Sequence, residues 1–289
     1  MIKVFFSNGD VSRFSVFTSS TSSKLRALLG AMYPNAILSL FGCTYKADKY
    51  LESYFKNLDS SEMRAETLVI LSAIKCPGDA PQKIIQYLKQ CNENCYPAVL
   101  IAFDNDPGLY NCWNYSIHIS PTEFVGNANP DDIRYSNHDR ECIDTLETSD
   151  ASIVATPLYF SYEYSTYIET AQKPSEIAFL DAPAFPVFRD LFRIEQGVLR
   201  PNNIFHCMPV WRKTLHDVAG YFNEYRYGTY ADWALWLSAL SKNIRAAFHQ
   251  QALGIYLVEP NSHNRIYPDL NQFAGNIISD YILLSLIHI

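Results

Sequence analysis

The chain has 289 residues, 48% hydrophobic and 18% charged, enough apolar material for one large domain with a sizeable core and too much for a disordered chain. The formal net charge is −7, and no basic stripe offsets it, which argues against a nucleic-acid partner. No apolar run approaches the ~18 residues of a membrane span, and Met1 to Phe6 is too short a block for a signal peptide. These features predict a soluble, cytoplasmic protein, with at most peripheral association at the inner face of the membrane. The seven cysteines are irregularly spaced, and the close pair Cys91 and Cys95 lacks the partners of a zinc site, so reduced thiols are expected.

Two short apolar stretches flank Asn8-Gly9-Asp10, the pattern of a hairpin turn. A Ser/Thr run from Thr18 to Ser23 precedes a helical pattern from Lys24 to Met32, which Pro34 and Asn35 close. Residues 1–36 read as an N-terminal extension. From Ile37 strands alternate with helices. Ile37 to Thr44 is a continuous apolar run, the mark of a strand buried on both faces. Residues 47–58 carry a helical pattern, Thr67 to Leu71 a second strand, Cys76 to Asp79 a turn, and Ile84, Ile85 and Leu88 a helix. Ala98 to Phe103 is a third strand, Gly108 opens a helix, and Glu123 to Gly126 is a fourth strand. A helix from Ser136 to about Glu147 follows, then a strand from Ile153 to Phe160. Residues 161–205 show no sustained period. Met208 to Trp211, a helix around Asp232 to Leu240, and Ala252 to Leu257 complete the pattern. The alternation predicts an α/β fold: a mostly parallel, Rossmann-like sheet flanked by helices on both faces. Ligands of such sheets bind beyond the carboxyl ends of the strands.

The fourth strand runs directly into Asn127-Ala128-Asn129-Pro130-Asp131-Asp132. Two adjacent carboxylates at a strand's carboxyl end are costly unless something positive neutralises them. A divalent cation bridging phosphate oxygens would do so, because Mg²⁺ and Mn²⁺ prefer oxygen ligands; a solvated turn capping a helix is the plainer alternative. Three further segments accompany the pair: Gly108-Leu109-Tyr110-Asn111-Cys112-Trp113-Asn114, the stretch Pro209-Val210-Trp211-Arg212-Lys213 continuing through Gly220-Tyr221-Phe222-Asn223-Glu224, and Asp232-Trp233-Ala234. In this order and spacing the segments from Ile37 to Glu259 resemble the GT-A nucleotide-sugar glycosyltransferases of the inverting family-2 type, in particular a bacterial subgroup.

The resemblance implies a GT-A domain over 37–259, followed by a C-terminal helical tail over 260–289. It makes Asp132 the metal ligand, for Mn²⁺ or Mg²⁺, and places Asp131 on the donor ribose or on the same metal. Asn129 stands where many relatives have another Asp. Thr44 and Tyr45 would line the base pocket, Gly108 would let the backbone approach the donor, and Asn114 would shape the sugar side. Asp232 matches the family's catalytic base. Trp211, Trp233 and Trp236 are candidates to stack on sugar faces, although Trp233 and Trp236 also have the spacing of core residues. Arg212 falls on the acceptor side; Arg134 and Arg212 are candidates to bind phosphate or to pair with an Asp. His206 has three readings: a further metal ligand, an acceptor contact or a structural histidine. His118 reads as a surface or packing residue.

Three positions depart from the family: Ser72 where relatives have an Asp that contacts the nucleobase, Asn129, and Ala234 in place of a Glu. The expected function is metal-dependent transfer of a sugar from a nucleotide-diphosphate sugar to a glycan or other hydroxyl acceptor, with inversion, in cell-surface glycan synthesis. The alternative is a non-catalytic GT-A domain that binds a nucleotide or glycan as an assembly module. The sequence stops at Leu286-Ile287-His288-Ile289 with no cap or polar tail, and is expected to be truncated there.

Overall fold

The computed structural model describes residues 2–14, 18–74, 80–162, 177–195, 198–258 and 270–282. At its centre lie four parallel strands, β3 (Leu38–Cys43), β4 (Thr67–Ile74), β5 (Ala98–Phe103) and β6 (Phe124–Asn127), in the order β5-β4-β3-β6. Their continuous apolar runs are explained by burial on both faces: every residue of Leu38 to Gly42 and of Thr67 to Ser72 is buried. Three helices connect these strands in turn: α2 (Leu51–Asp59) from β3 to β4, α3 (Ala80–Glu93) from β4 to β5, and α4 (Leu109–Ile119) from β5 back across to β6 beside β3.

The N-terminal segment lengthens this sheet. β1 (Ile2–Phe6) pairs antiparallel with β5, and β2 (Val11–Phe14) closes the hairpin expected at Asn8-Gly9-Asp10. Helix α1 (Ser19–Met32) starts within the Ser/Thr run, earlier than its apolar pattern suggests, because the Thr18 hydroxyl accepts the Thr21 N–H at 3.1 Å as an N-cap. On the other side, the sheet continues through β13 (Val210–Arg212), β8 (Ile153–Ala155) and the edge strand β14 (Ala246–Phe248). Strand β13 runs antiparallel to both its neighbours, so the nine-stranded sheet is mixed rather than parallel throughout.

The run Ile153 to Phe160, expected as one strand, is two. Pro157 has no N–H to donate, and the chain breaks there between β8 and β9 (Leu158–Ser161). β9 enters a second sheet with β10 (Ile177–Ala178), β15 (Gly254–Leu257) and β7 (Ile133–Arg134). Strands β11 (Phe192–Glu195) and β12 (Val198–Pro201) form a separate hairpin.

Two cores cover the faces of the large sheet. One packs α2, α3 and α5 (His138–Thr148) against Leu38, Leu40, Val69 and Leu71. The other packs α1, α4 and α8 (Ala231–Ser241) against Phe41, Ile70 and Val125. It is built on interlocked rings: Trp211 meets Phe41 and Trp236 edge-on at 5.7 and 5.2 Å, and Tyr110 meets Trp113 at 5.0 Å. Edge-on packing puts the positive rim of one ring on the negative face of another. The chain also contains two short helices, α6 (Leu215–Ala219) and α7 (Glu224–Tyr227), and a last helix, α9 (Leu270–Ile277). Among the described residues, no helix is long and apolar enough to cross a membrane. The expected turn at Cys76 to Asp79 and the last residues of the chain lie outside the described residues.

Candidate active site

The acidic turn is held by a buried network. The Arg134 guanidinium donates from one nitrogen to Asp139 Oδ1 at 2.7 Å, with His138 Nδ1 2.9 Å from the same nitrogen, and from the other to the Asn127 carbonyl. His138 Nδ1 also lies 3.0 Å from Asp139 Oδ1, and a proton on that nitrogen donates to the carboxylate. Burial and the Arg134 charge push the His138 pKa down. Burial would raise Asp139, but the Arg134 charge and the His138 contact outweigh it and hold its carboxyl at about 2. The Asn57 side chain grips the Arg134 backbone in both directions, accepting its N–H at 3.0 Å and donating to its carbonyl at 2.7 Å. Arg134 is therefore an internal brace paired with an Asp, and its expected alternative as a phosphate ligand does not fit this burial.

A missing side chain makes room for the other support of the turn. The Tyr54 hydroxyl donates to the Ala128 carbonyl at 2.9 Å by crossing the space above Gly42. A Cβ on Gly42 would collide with that hydroxyl and lie 2.5 Å from the Ala128 carbonyl.

Asp132 is 4% exposed. Its Oδ2 accepts from the Asn129 amide at 3.0 Å and from the Cys207 thiol at 3.1 Å. Its Oδ1 is buried with no partner. Burial, then the charge of Asp131 beside it, pushes the Asp132 carboxyl up to about 8. Asn129 thus orients the neighbouring carboxylate, where an Asp would repel it. Cys207 has no role in the sequence pattern, and its contact with Asp132 spans 75 residues of chain.

Asp232 sits in the first turn of α8 and is 8% exposed. Its Oδ1 accepts from the Tyr110 hydroxyl at 3.1 Å and its Oδ2 from the Asn203 amide at 2.8 Å. Burial raises its pKa, opposed by His206, Tyr110 and Asn203. His206 belongs to this group: burial lowers its pKa and the Asp232 charge raises it, and its ring meets Tyr256 edge-on at 4.7 Å. Asn203 Oδ1 and Thr229 Oγ1 are buried nearby without partners, the condition of groups that await water or a polar ligand. Asn203, like Cys207, is not apparent in the sequence.

The remaining expected residues divide. Thr44 is buried, and its hydroxyl donates to the Ser72 carbonyl at 3.1 Å, joining the ends of β3 and β4; Tyr45 is exposed just beyond. Gly108 caps α4 with φ +89°, and the space its missing side chain leaves is filled by Glu224, whose carboxylate accepts the Tyr110 N–H at 3.1 Å. The Asn114 amide exchanges two hydrogen bonds with the Phe222 backbone, 2.8 and 3.1 Å, and so ties α4 to the loop before α7.

The acceptor-side expectation is corrected. Trp211 and Trp233 are 0% and 1% exposed, their indole N–H groups donating to His216 Nε2 at 2.9 Å and to the Leu191 carbonyl at 2.8 Å. Trp236 is equally buried. All three are core rings with no face for a sugar. Arg212 pairs with Glu123, donates to the Leu146 carbonyl at 2.8 Å and lies over Phe124, contacts at the start of β6 rather than at its carboxyl end.

Among the described residues, no group of three or more His, Cys, Asp or Glu side chains forms a cage for a metal. The donor set that is present is the pair Asp131 and Asp132 with one buried, unpartnered oxygen. That set fits a hard cation held by one or two carboxylates and completed by substrate phosphates and water. The other carboxylate, Asp232, is fixed by neutral donors and fits a proton acceptor rather than a metal ligand.

No family model and no curated protein matches the chain. Solved structures do. The structure of Staphylococcus aureus TarS 1-349 in complex with UDP-GlcNAc aligns at a TM-score of 0.62 and 14% identity, over 84% of this chain and 66% of that one. The mannosyltransferase PcManGT from Pyrobaculum calidifontis, in complex with GDP-Man and Mn²⁺, aligns at 0.59 and 12% over 91% and 76%. Glucosyl-3-phosphoglycerate synthase from Mycobacterium tuberculosis, with Mn²⁺, UDP and glucosyl-3-phosphoglycerate, aligns at 0.53 and 12% over 93% and 86%. Against the longer S. aureus TarS structure, this chain covers 37% of that protein. The fold is that of the GT-A glycosyltransferases.

Proposed function

We propose that the protein is a metal-dependent glycosyltransferase that moves a sugar from a nucleotide-diphosphate sugar to a hydroxyl of a saccharide or other acceptor, with inversion. The observation that carries this reading is the presence of two carboxylate centres with different surroundings on one fold. Asp132, beside Asp131, has an unpartnered buried oxygen. Asp232 is held by Tyr110 and Asn203. Environments that separate two carboxylates in this way are how one site divides its roles. Solved structures of the same fold hold UDP-GlcNAc, or GDP-Man with Mn²⁺, which supports the same donor class here.

On this reading Asp132, with Asp131 alongside, would hold Mn²⁺ or Mg²⁺, and that ion would supply positive charge against the diphosphate. Thr44, Tyr45 and Ser72, at the carboxyl ends of β3 and β4, line the nucleotide side. Asp232 accepts the proton of the acceptor hydroxyl as its oxygen attacks the anomeric carbon. Burial favours this proton transfer by raising the affinity of Asp232 for a proton, while the Tyr110 and Asn203 donors keep the carboxylate aimed. His206 and Asn203, the neighbours of Asp232, would contact acceptor or donor hydroxyls. The family-2 assignment, the transferase boundaries at 37 and 259, and a place in cell-surface glycan synthesis at the inner membrane face are part of the proposal.

The test is release of nucleoside diphosphate from a panel of UDP- and GDP-sugars with Mn²⁺. General-base catalysis contributes about 10²–10⁴-fold, so Asp232→Asn should lower turnover by at least 100-fold while donor affinity stays within about threefold. Turnover unchanged in Asp232→Asn would remove the base assignment, and no release from any donor would favour the non-catalytic reading.

A further inference from the structure

A groove of about 420 Å³ runs along the far edge of the large sheet, between the last turns of α5, the end of β14 and the segment around Phe185. Its size is in the range of small-molecule sites, and none of the candidate active-site residues lines it.

Phe185 gives the groove an apolar wall. It is 70% exposed, which is unfavourable for an aromatic ring left in water. The chain holds it there: Pro183 and Pro186 restrict the backbone on either side. The Ala184 carbonyl between them accepts the Phe248 N–H at 2.8 Å, and the Val187 N–H is held by Asp190 at 2.8 Å. These restraints fix the backbone that carries the ring.

Hydroxyls with a common polarity also line the groove. Thr145, Thr148 and Ser149 each donate to the carbonyl four residues earlier, at 2.7, 2.6 and 2.6 Å. Their protons are spent inside the helix, so Thr145 and Thr148 have acceptor capacity left to offer, while Ser149 Oγ already accepts the Ala151 N–H at 3.3 Å. The groove is otherwise lined by small apolar groups, His249 and the amides Gln250 and Gln251. No Lys, Arg, Asp or Glu is among the lining residues, and the carboxylate next to them is Glu141, 3.5 Å from His249 Nε2, so a phosphate meets no Lys or Arg there.

An apolar ring, hydroxyls with acceptor capacity and side-chain amides lining one groove are the complement of a neutral sugar. The C–H face of a pyranose packs on the negative face of an aromatic ring, and its hydroxyls donate to the acceptors. Position connects this groove to the site. Strand β14 runs parallel to β8, which is antiparallel to β13 as β13 is to β6. The carboxyl ends of β14 and β6 therefore share one edge of the sheet. Three strand spacings, about 14 Å, separate them.

We propose that this groove is a second carbohydrate-binding site, which holds a distal part of an oligosaccharide by the Phe185 ring and the hydroxyls of Thr145 and Thr148. That the bound chain is the acceptor of the reaction rests on the glycosyltransferase reading; sugar binding itself does not. Chitohexaose, cellohexaose and maltohexaose are the probes, followed by saturation-transfer NMR and by calorimetric titration in the absence of nucleotide and metal. At least one hexaose should bind, and Phe185→Ala and Thr148→Val, both at exposed positions, should each weaken it at least fivefold. Asp232→Asn should leave it unchanged. Failure of all three hexaoses to bind, or binding unaffected by both groove variants, overturns the site; so does binding lost only in Asp232→Asn. Nucleotide binding measured on the same samples separates the two proposals, because a protein that binds a hexaose at Phe185 but no nucleotide keeps the groove and loses the transferase.

Discussion

Removing Arg134 should destabilise the fold severely while leaving its shape intact, and the reason lies in what the residue leaves behind. Arg134→Met preserves much of the apolar stem but strips Asp139, 1% exposed, of the charge that keeps it ionised. Breaking a buried ion pair from one side costs about 3–5 kcal/mol, because a buried charge is left uncompensated. The Asn127 carbonyl loses its donor as well. With a urea slope of about 2–3 kcal/mol per molar, the midpoint should fall by roughly 1–2.5 M. The double variant Arg134→Met, Asp139→Leu removes both charges and should recover most of the loss, since apolar replacement of a buried pair is often neutral or better. Urea unfolding followed by tryptophan fluorescence reads both, the four tryptophans being reporters of the core. A loss below 1 kcal/mol in the single variant, or no recovery in the double, would refute the brace. The pH dependence follows in sign. Asp139 sits at about 2 against an ordinary 3.8, a difference worth about 2 kcal/mol. That stability is complete above about pH 4 and is lost as pH falls through 2, a dependence absent from the double variant.

Three further outcomes are expected. Gly42→Ala should displace the Tyr54 hydroxyl from the Ala128 carbonyl and cost about 2–4 kcal/mol, the sum of overpacking and a lost buried hydrogen bond; a melting temperature within 2 °C of wild type, on the order of 1 kcal/mol or less, would contradict the packing described. Trp211→Phe should lower stability by about 1–3 kcal/mol through a cavity and the orphaned His216 and leave the acceptor KM within twofold; a large rise in that KM would restore the sugar-stacking role. Asn203→Leu should reduce turnover at least tenfold with donor affinity preserved, since Asp232 loses its 2.8 Å donor; equal losses in binding and turnover would assign Asn203 to the donor.

The parallel strands are legible in the sequence because burial on both faces writes itself as unbroken apolar runs, and the acidic turn because two adjacent carboxylates at a strand end need a charge partner. The antiparallel course of β13 is not, since a three-residue strand carries no mark of direction. The tryptophans mislead for a related reason. A ring that fills a core and one that stacks on a sugar look alike in sequence, and only the burial of Trp211, Trp233 and Trp236 separates them. Cys207, Asn203 and Glu224 act on Asp132, Asp232 and the start of α4 across 75, 29 and 114 residues of chain. No local pattern links partners at such separations. Arg134 stands out in the sequence for its charge, but its role is decided by where Asp139 and Asn127 sit.

The most direct measurement is calorimetric binding of UDP, GDP and their sugars to the wild type and to Asp132→Asn, each with Mn²⁺ and with chelator. One nucleotide class should bind the wild type with Mn²⁺, and chelator or Asp132→Asn should weaken it at least tenfold, about 1.4 kcal/mol. Binding of no nucleotide, or binding indifferent to both metal and Asp132, would contradict the metal-dependent transferase.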